Sequence, residues 1–160
     1  LDDIFGGSLK TRYSTGAAIE EVITTADLVV GAVLIPGAAA PRLIRRDQLS
    51  SMRQGSVLCD VAIDQGGCFE TSHATTHEDP VYDIDGVVHY CVANMPGSVP
   101  LTSSHALNNV TLPFTMALAD KGVKALDDND HLMNGLNVRG GKITHPAVID
   151  ALGDSPRLSA

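Results

Sequence analysis

The run LVVGAVL at residues 28–34 decides the fold more clearly than any other stretch of this sequence. An unbroken series of apolar residues and glycine is typical of a strand covered on both faces, as in a parallel sheet. Two further runs of this kind follow, SVLCDVAI at residues 56–63 and VVHYCV at residues 87–92. Because segments with helical spacing alternate with these runs, the sequence predicts an α/β fold with a parallel sheet.

The segments around these runs predict the remaining elements. A short strand is predicted at residues 9–13 and a long polar loop at residues 70–85, whereas Gly140 and Gly141 mark a turn or hairpin. Helices are predicted where apolar residues recur at helical spacing, at residues 15–25, 41–52, 111–121, 127–135 and 146–152. The strand-rich character ends near residue 100, which predicts a boundary between residues 1–100 and residues 101–160.

Composition limits the class of protein. The chain has 160 residues, a formal charge of −8 and 44% hydrophobic residues, which excludes a disordered chain and a basic nucleic-acid-binding surface. The apolar stretch at residues 28–40 is too short to span a bilayer, and the three cysteines form no disulfide pattern. We therefore expect a cytoplasmic protein with no nucleic-acid or membrane partner. Since the first residue is Leu1 and not methionine, we also expect a fragment or a processed product.

The ends of the three apolar runs carry the candidate ligand-binding residues. Asp64 precedes Gly66 and Gly67, and Asn94 precedes Pro96 and a glycine. Ligands of open α/β sheets bind outside the carboxyl ends of the strands, so the pattern is consistent with a dinucleotide lying across these ends. Ordinary strand-to-loop turns are the alternative interpretation. The sequence contains no G-x-G-x-x-G motif, the usual sign of a dinucleotide fold.

Weaker patterns favour structural explanations. His73 and His77 stand four residues apart beside Glu78 and Asp79, but a solvated loop explains them better than a metal site. Cys68 with His73 could form a nucleophile and base, although an inert buried thiol is the preferred interpretation. The acidic residues Asp127, Asp128 and Asp130 lack the spacing of a calcium loop and are interpreted as caps of the following helix.

Longer motifs make the strand ends specific. They are VVGAVLIPGAAAP at residues 29–41, DVAIDQGGCFE at 60–70, VVHYCVANMPGSVP at 87–100, TSSHALNNVTL at 102–112 and ADKG at 119–122. Together these motifs resemble the alanine dehydrogenase family. The resemblance covers nearly the whole chain and corresponds to the C-terminal part of that enzyme. It implies the second half of a Rossmann-type sheet at residues 1–100, which binds NAD, and a mostly helical tail at residues 101–160 that returns to the catalytic domain.

The resemblance also implies roles for individual residues. By position in the family's motifs, Asp64 is the catalytic carboxylate and Ser14 contacts the adenosine side of NAD. The strand ends would bind the nucleotide through Val33, Leu34, Val61, Ala62, Ile63, Asp64, Val92, Ala93, Asn94 and Met95. His73, at the position of an arginine that is frequent in the family, is a further candidate for contacting the cofactor. A metal pair of some relatives falls at Ala117 and Lys121, so no metal is predicted. The residues alone leave a structural alternative for Asp64, which is capping of the glycine turn.

Three functions follow as hypotheses. The first, implied by the resemblance, is a hexameric, cytoplasmic oxidoreductase that converts L-alanine, NAD⁺ and water to pyruvate, ammonium and NADH. The second is the NAD(H)-binding subunit of a proton-translocating transhydrogenase, a related family that shares the LIPG strand end. The third is a non-catalytic regulatory domain of the same fold. Because the family's substrate-binding Arg and Lys, its catalytic His and its glycine motif lie upstream of these motifs, we expect the chain alone to be inactive.

Overall fold

A computed structural model describes residues 1–33, 35 and 40–152 of the chain. The chain divides into two compact units. The first comprises Leu1–Leu34 and Ala39–Met95, and the second comprises Ile35–Ala38 and Pro96–Ala160. The first unit contains the helices α1 (Asp2–Phe5) and α2 (Gly16–Ile23) and a four-stranded sheet.

The sheet confirms the predicted fold class. Its strands are β1 (Leu28–Gly31), β2 (Val57–Asp60), β3 (Val81–Ile84) and β4 (Val87–Tyr90), in the order β1-β2-β4-β3. The strands β1, β2 and β4 are parallel, and β3 pairs with β4 in the antiparallel direction. The structure is therefore a mixed α/β fold with a mostly parallel sheet, and the carboxyl ends of β1, β2 and β4 lie at one edge.

The loop predicted at residues 70–85 contains β3, a strand that was not predicted. A two-residue turn joins β3 to β4, and both of its residues have left-handed backbones, with φ of 56° at Asp85 and 80° at Gly86. An Asp-Gly pair between apolar runs is a strong hairpin signal, because type I′ turns require positive φ at both positions. This signal was present in the sequence and would have identified the strand.

The parallel strands are shorter than predicted because backbone turns begin immediately after them. The carbonyl oxygen of Gly31 accepts hydrogen bonds from the backbone N–H groups of Val61 and Ala62, at 2.8 and 3.3 Å. Ile63, the last residue of the strand predicted at residues 56–63, instead begins a 3₁₀ turn at Ile63–Gln65. The apolar run predicted at residues 87–92 extends past β4. Within the described part of the chain, the residues after β4 in this run form one further pairing, a single bridge between Val92 and Thr75.

Two predicted elements are wrong. Residues 9–13 form no strand, since they are exposed and no neighbouring strand accepts or donates their hydrogen bonds. The helix predicted at residues 41–52 is reduced to a 3₁₀ helix at Arg46–Ser51. The preceding residues are extended because Ile44 forms a parallel bridge to Phe69, a tertiary pairing that overrides local helical spacing.

Burial of apolar side chains explains how α2 and the 3₁₀ helix attach to the sheet. Thr15 caps α2, because its hydroxyl oxygen accepts a hydrogen bond from the backbone N–H of Ala18 at 3.2 Å. This confirms the helix predicted at residues 15–25. Burying each large apolar side chain contributes about 1.5–3 kcal/mol. The buried cluster consists of Ile23, Ala40, Ile44, Leu49, Met52, Leu58, Ala62, Cys68, Phe69 and Val87.

The second unit is mostly helical. It contains α3 (Pro100–Lys121), α4 (Asp130–Asn134), the hairpin of β5 (Val138–Arg139) and β6 (Lys142–Ile143), and α5 (Pro146–Leu152). The long helix α3 begins eleven residues before the predicted start, at a proline whose ring fits the first helical turn. Among the described residues, no helix is long and apolar enough to cross a membrane.

The acidic residues before α4 do not cap it as predicted. The cap is Asn129, whose side-chain oxygen accepts from the backbone N–H groups of His131 and Leu132. Asp128 instead pairs with Lys121 at 2.6 Å, in an exposed ion pair. The amide side chain of Asn129, which lies between the acidic residues, therefore accepts the hydrogen bonds of the free N–H groups at the start of α4.

Candidate functional site

A cavity of about 240 Å³ opens at the carboxyl ends of β1 and β2. Four of its lining residues carry apolar side chains and two carry polar ones. Val61 is 49% exposed, and Asp64 is also exposed. The lining residues are Ala32, Val33, Val61, Ala62, Asp64 and Gln65. The cavity thus brings together an apolar surface and one carboxylate, at the edge of the sheet where the sequence predicted a ligand.

The packing behind β1 requires a glycine at the end of this strand. A Cβ atom at Gly31 would stand 2.7 Å from Cζ of Phe69 and closer still to Sγ of Cys68. Both of these side chains are buried, so neither has space to withdraw. The missing side chain at Gly31 therefore allows the segment after β2 to cross directly behind β1.

A buried carboxylate fixes the loop that carries Asp64. Asp60 is fully buried at the end of β2, and its Oδ2 accepts from the backbone N–H of Cys68 at 2.8 Å and from Oγ of Ser72 at 2.5 Å. The thiol of Cys68 also donates to Oδ1 of Asp60, at 3.4 Å. A buried carboxylate is tolerated only where donors compensate its lost hydration, and these three do so. Asp60 was not predicted as a functional residue, although a carboxylate within an apolar run is a visible signal in the sequence.

A second connection holds the same loop from the other side. The guanidinium of Arg42 donates to the carbonyl oxygens of Gly67 and Phe69, at 3.1 and 2.6 Å. The backbone N–H of Ala40 donates to the carbonyl of Gln65 at 3.1 Å. Asp64 therefore stands on a short turn that is fixed at both ends, which places its carboxylate reproducibly at the cavity rim.

The end of β4 forms a neighbouring part of the same sheet edge. Val92 is fully buried, whereas Asn94 is exposed and has a left-handed backbone with φ of 59°. Ala93 and Met95 are partly buried. None of these four residues lines the cavity at β1 and β2, and Ile63, which was also predicted, is buried and does not line it. Leu34, the remaining strand-end candidate, lies outside the described residues.

Ser14 belongs to a different cavity. That cavity, of about 500 Å³, lies between the segment before α2 and the helix itself, and it shares no lining residue with the first. Its basic side chains are Lys10 and Arg12, of which Arg12 pairs with Glu21 at 2.7 Å. Ser14, the residue implied for the adenosine side, therefore lies in a different cavity from the strand-end residues Val33, Val61, Ala62 and Asp64.

His73 lies at the opposite side of the sheet from β1, against β3. Its ring stacks on Tyr82 with centroids 3.7 Å apart, and Tyr82 in turn stacks on His89 at 4.9 Å. Nδ1 of His89 lies 2.9 Å from the carbonyl of Val87, so it carries the proton, and Nε2 accepts from the hydroxyl of Thr71 at 2.7 Å. Burial lowers the pKa of His89, which keeps this ring neutral.

The weaker candidates do not assemble into reactive sites. Burial, with the Asp60 carboxylate nearby, raises the pKa of the Cys68 thiol to about 12, the opposite of what a nucleophilic thiolate requires. Nε2 of His77 contacts the backbone carbonyl of Asn94, so His77 and His73 do not share a ligand position. Within residues 1–33, 35 and 40–152, no group of three or more His, Cys, Asp and Glu side chains is arranged to hold a metal ion.

These features define a class of protein, an α/β domain with a cavity at the carboxyl edge of a mostly parallel sheet. The sequence profile described as "Alanine dehydrogenase/PNT, C-terminal domain" matches residues 1–146. The chain belongs to this family.

Individual relatives agree with the profile. The chain is 64% identical over 154 residues to the alanine dehydrogenase of Halomonas elongata, covering 96% of this chain and 42% of that protein. It is 54% identical over 155 residues to the alanine dehydrogenase of Bacillus subtilis, covering 96% of this chain and 41% of that protein. The chain therefore spans about two-fifths of the length of the curated relatives it matches.

Solved structures show the same relation. An L-alanine dehydrogenase structure superposes with a TM-score of 0.80 at 50% identity, over 96% of this chain and 42% of the other. A transhydrogenase from Sinorhizobium meliloti superposes with a TM-score of 0.58 at 34% identity, over 83% of this chain and 36% of the other. In both comparisons this chain superposes on a part of a longer protein.

Proposed function

We propose that this chain is the C-terminal part of an NAD-dependent alanine dehydrogenase, in which residues 1–100 bind the nucleotide and residues 101–160 return to the catalytic domain. The whole enzyme would convert L-alanine, NAD⁺ and water to pyruvate, ammonium and NADH. The observation that carries the proposal is the exposed carboxylate of Asp64 at the rim of the apolar cavity. The names of the relatives support the choice of substrate. A cytoplasmic homo-hexamer belongs to the same proposal and rests on the resemblance alone.

The residues at the strand ends fit the nicotinamide end of NAD. Val33, Val61 and Ala62 provide an apolar surface for a flat ring, and the exposed turn after β4 offers backbone groups at the same edge. When bound, the nicotinamide accepts a hydride from the substrate carbon. The apolar lining limits water at the place where the ring would lie, and Ser14 would meet the adenosine side in the second cavity.

Asp64 is the residue of this chain that we propose to act on the substrate. Loss of hydride from the alanine Cα turns the amine into an iminium group, so positive charge develops on the substrate nitrogen. The carboxylate oxygens of Asp64 would accept hydrogen bonds from that nitrogen and from the attacking water, which stabilises the charge and orients both groups. The rigid turn at Ile63–Gln65 supports this function because preorganised charge requires no rearrangement during the reaction.

The chain alone is proposed to be inactive, because the family's substrate-binding Arg and Lys and its catalytic His are not among its motifs. The test therefore uses the longer protein that contains this chain, called the full-length protein below. NADH absorbance is followed with L-alanine and NAD⁺ at alkaline pH. We expect Asp64→Asn to lower kcat by about 10²- to 10³-fold, the usual cost of removing a preorganised electrostatic partner.

Asp27→Asn is the matched control. Asp27 is an exposed aspartate of the same unit at the opposite edge of the sheet, where it pairs with Arg53 at 2.9 Å. Its substitution removes the same charge and should leave kcat within twofold, because exposed ion pairs contribute only about 0–1 kcal/mol. An Asp64→Asn variant with unchanged kcat would exclude Asp64 from the reaction, and absence of alanine-dependent NADH from the wild type would exclude the proposed activity.

The transhydrogenase likeness provides the second candidate. Its supporting observation is the superposition on the Sinorhizobium meliloti structure, which is weaker in both TM-score and identity than that on the L-alanine dehydrogenase. Hydride exchange between a reduced and an oxidised nucleotide without alanine would favour this candidate. Alanine-dependent NADH without such exchange would favour the dehydrogenase.

A further inference from the structure

The turn after β4 holds an asparagine in an unfavourable backbone conformation. Asn94 has φ of 59°, and in the described part of the chain only one other non-glycine residue, Asp85, has positive φ. The left-handed region is disfavoured for residues with a Cβ atom, although asparagine tolerates it better than most. A residue keeps such a conformation only where surrounding contacts impose it. Since Asn94 is exposed, these contacts come from hydrogen bonds and not from burial.

The segment before β3 supplies those hydrogen bonds. Thr75 pairs with Val92 in a parallel bridge, in which the N–H of Thr75 donates to Cys91 and the N–H of Ala93 donates to Thr75, at 2.9 and 3.1 Å. Two residues further on, Nε2 of His77 lies 3.0 Å from the carbonyl oxygen of Asn94. A carbonyl oxygen only accepts, so Nε2 of His77 is the donor. The imidazole thus extends the backbone bridge to the left-handed residue.

We infer that His77 is a positioning residue, which fixes the backbone of Asn94 and so presents the turn after β4 to the ligand. The inference rests on the proposed function, because only that function makes the turn part of a nucleotide site. His77 is itself exposed, and its ring is not part of the apolar cluster. Replacing it therefore removes one hydrogen bond without opening a cavity in the core.

The expected effect is on nucleotide binding more than on the chemical step. In the full-length protein, His77→Ala should raise the Kd for NAD⁺, measured by titration calorimetry, and its KM by about 3- to 10-fold, the effect of one hydrogen bond. The value of kcat should stay within twofold. His77→Gln retains an N–H donor on a side chain of similar reach and should restore most of the affinity. His131→Ala, on the exposed side of α4, is the control and should leave Kd unchanged.

A second measurement needs no nucleotide. In the cofactor-free protein, His77→Ala should accelerate hydrogen exchange at the Ala93 amide by about 3- to 10-fold, because the bridge to Thr75 loses its outer hydrogen bond. Unchanged exchange at Ala93 overturns the inference whether or not the protein oxidises alanine. Conversely, faster exchange in a protein without alanine-dependent NADH formation supports the inference about the turn while refuting the proposed function.

A double variant tests the physical cause. Glycine adopts positive φ without steric cost, so Asn94→Gly should make His77 less necessary. His77→Ala accelerates hydrogen exchange at the Ala93 amide by some factor in each background. We expect this factor to be at least twofold smaller in the Asn94→Gly background than in the wild type. Equal acceleration in both backgrounds would show that His77 does not act by holding the left-handed residue, and it would overturn the inference.

Discussion

The close approach of two segments behind β1 predicts that Gly31→Ala destabilises the protein. The added methyl group would stand 2.7 Å from Cζ and 3.2 Å from Cε1 of Phe69, and it would overlap Sγ of Cys68. Phe69 is 1% exposed and Cys68 is fully buried, so both side chains must shift against packed neighbours. Gly31 lies in a regular strand without positive φ, so the cost is steric and not a matter of backbone conformation.

Overpacking of a filled core costs about 1–3 kcal/mol per substitution. We expect Gly31→Ala to lower the free energy of unfolding by this amount, measured by urea denaturation of the full-length protein followed by circular dichroism. Gly16→Ala is the matched control, because nothing lies within 4 Å of the point that a Cβ atom would occupy there and Gly16 is the first residue of α2. In that position alanine should be neutral or slightly stabilising.

A double variant separates the two contacts. Cys68→Ala removes the sulfur that lies closest to the new methyl group, so Gly31→Ala should cost less in the Cys68→Ala background than in the wild type. Additive costs would show that Cys68 does not limit the space at Gly31. An unchanged urea midpoint for Gly31→Ala would refute the packing argument as a whole.

Two buried titratable groups give opposite pH dependences. Burial lowers the pKa of His89 below 6.5, so the unfolded chain binds a proton that the native ring rejects, and the free energy of unfolding should fall as pH drops below about 6.5. His89→Gln should reduce that fall in urea titrations from pH 7.5 to 5. Burial and Asp60 raise the pKa of Cys68 from 9.0 to about 12, so stability should fall as pH rises from 9 towards 12. Cys68→Ala should flatten this alkaline loss, and equal slopes for variant and wild type would contradict the assignment.

The parallel part of the sheet could be predicted because its signal is local. Strands covered on both faces are continuous apolar runs, and those at residues 28–34, 56–63 and 87–92 each contain an observed strand. Their ends could not be predicted, since they depend on tertiary hydrogen bonds such as those to Gly31. The error at residues 41–52 has the same origin, because the bridge from Ile44 to Phe69 is invisible in local spacing.

Part of the lining of the cavity at β1 and β2 was also named from the sequence. The resemblance assigned Val33, Val61, Ala62 and Asp64 to the strand ends, and these four residues line one cavity. The rule that parallel strands end at one edge placed a ligand at this edge. It carried no information about Asp60 or Arg42, whose hydrogen bonds join positions up to 27 residues apart. The separation of Ser14 and His73 from that cavity was also beyond sequence reasoning, because it follows from where α2 and β3 lie beside the sheet.

The two-residue turn between β3 and β4 has a consequence for the order of folding. A hairpin closed by Asp85 and Gly86 needs only local chain motion and forms within microseconds. The parallel pairings β1–β2 and β2–β4 join residues about thirty positions apart. Forming either pairing therefore costs more loop-closure entropy than forming the hairpin. We therefore expect the hairpin of β3 and β4, neither of which carries a candidate site residue, to form first, and the carboxyl edge of the parallel strands to be completed last.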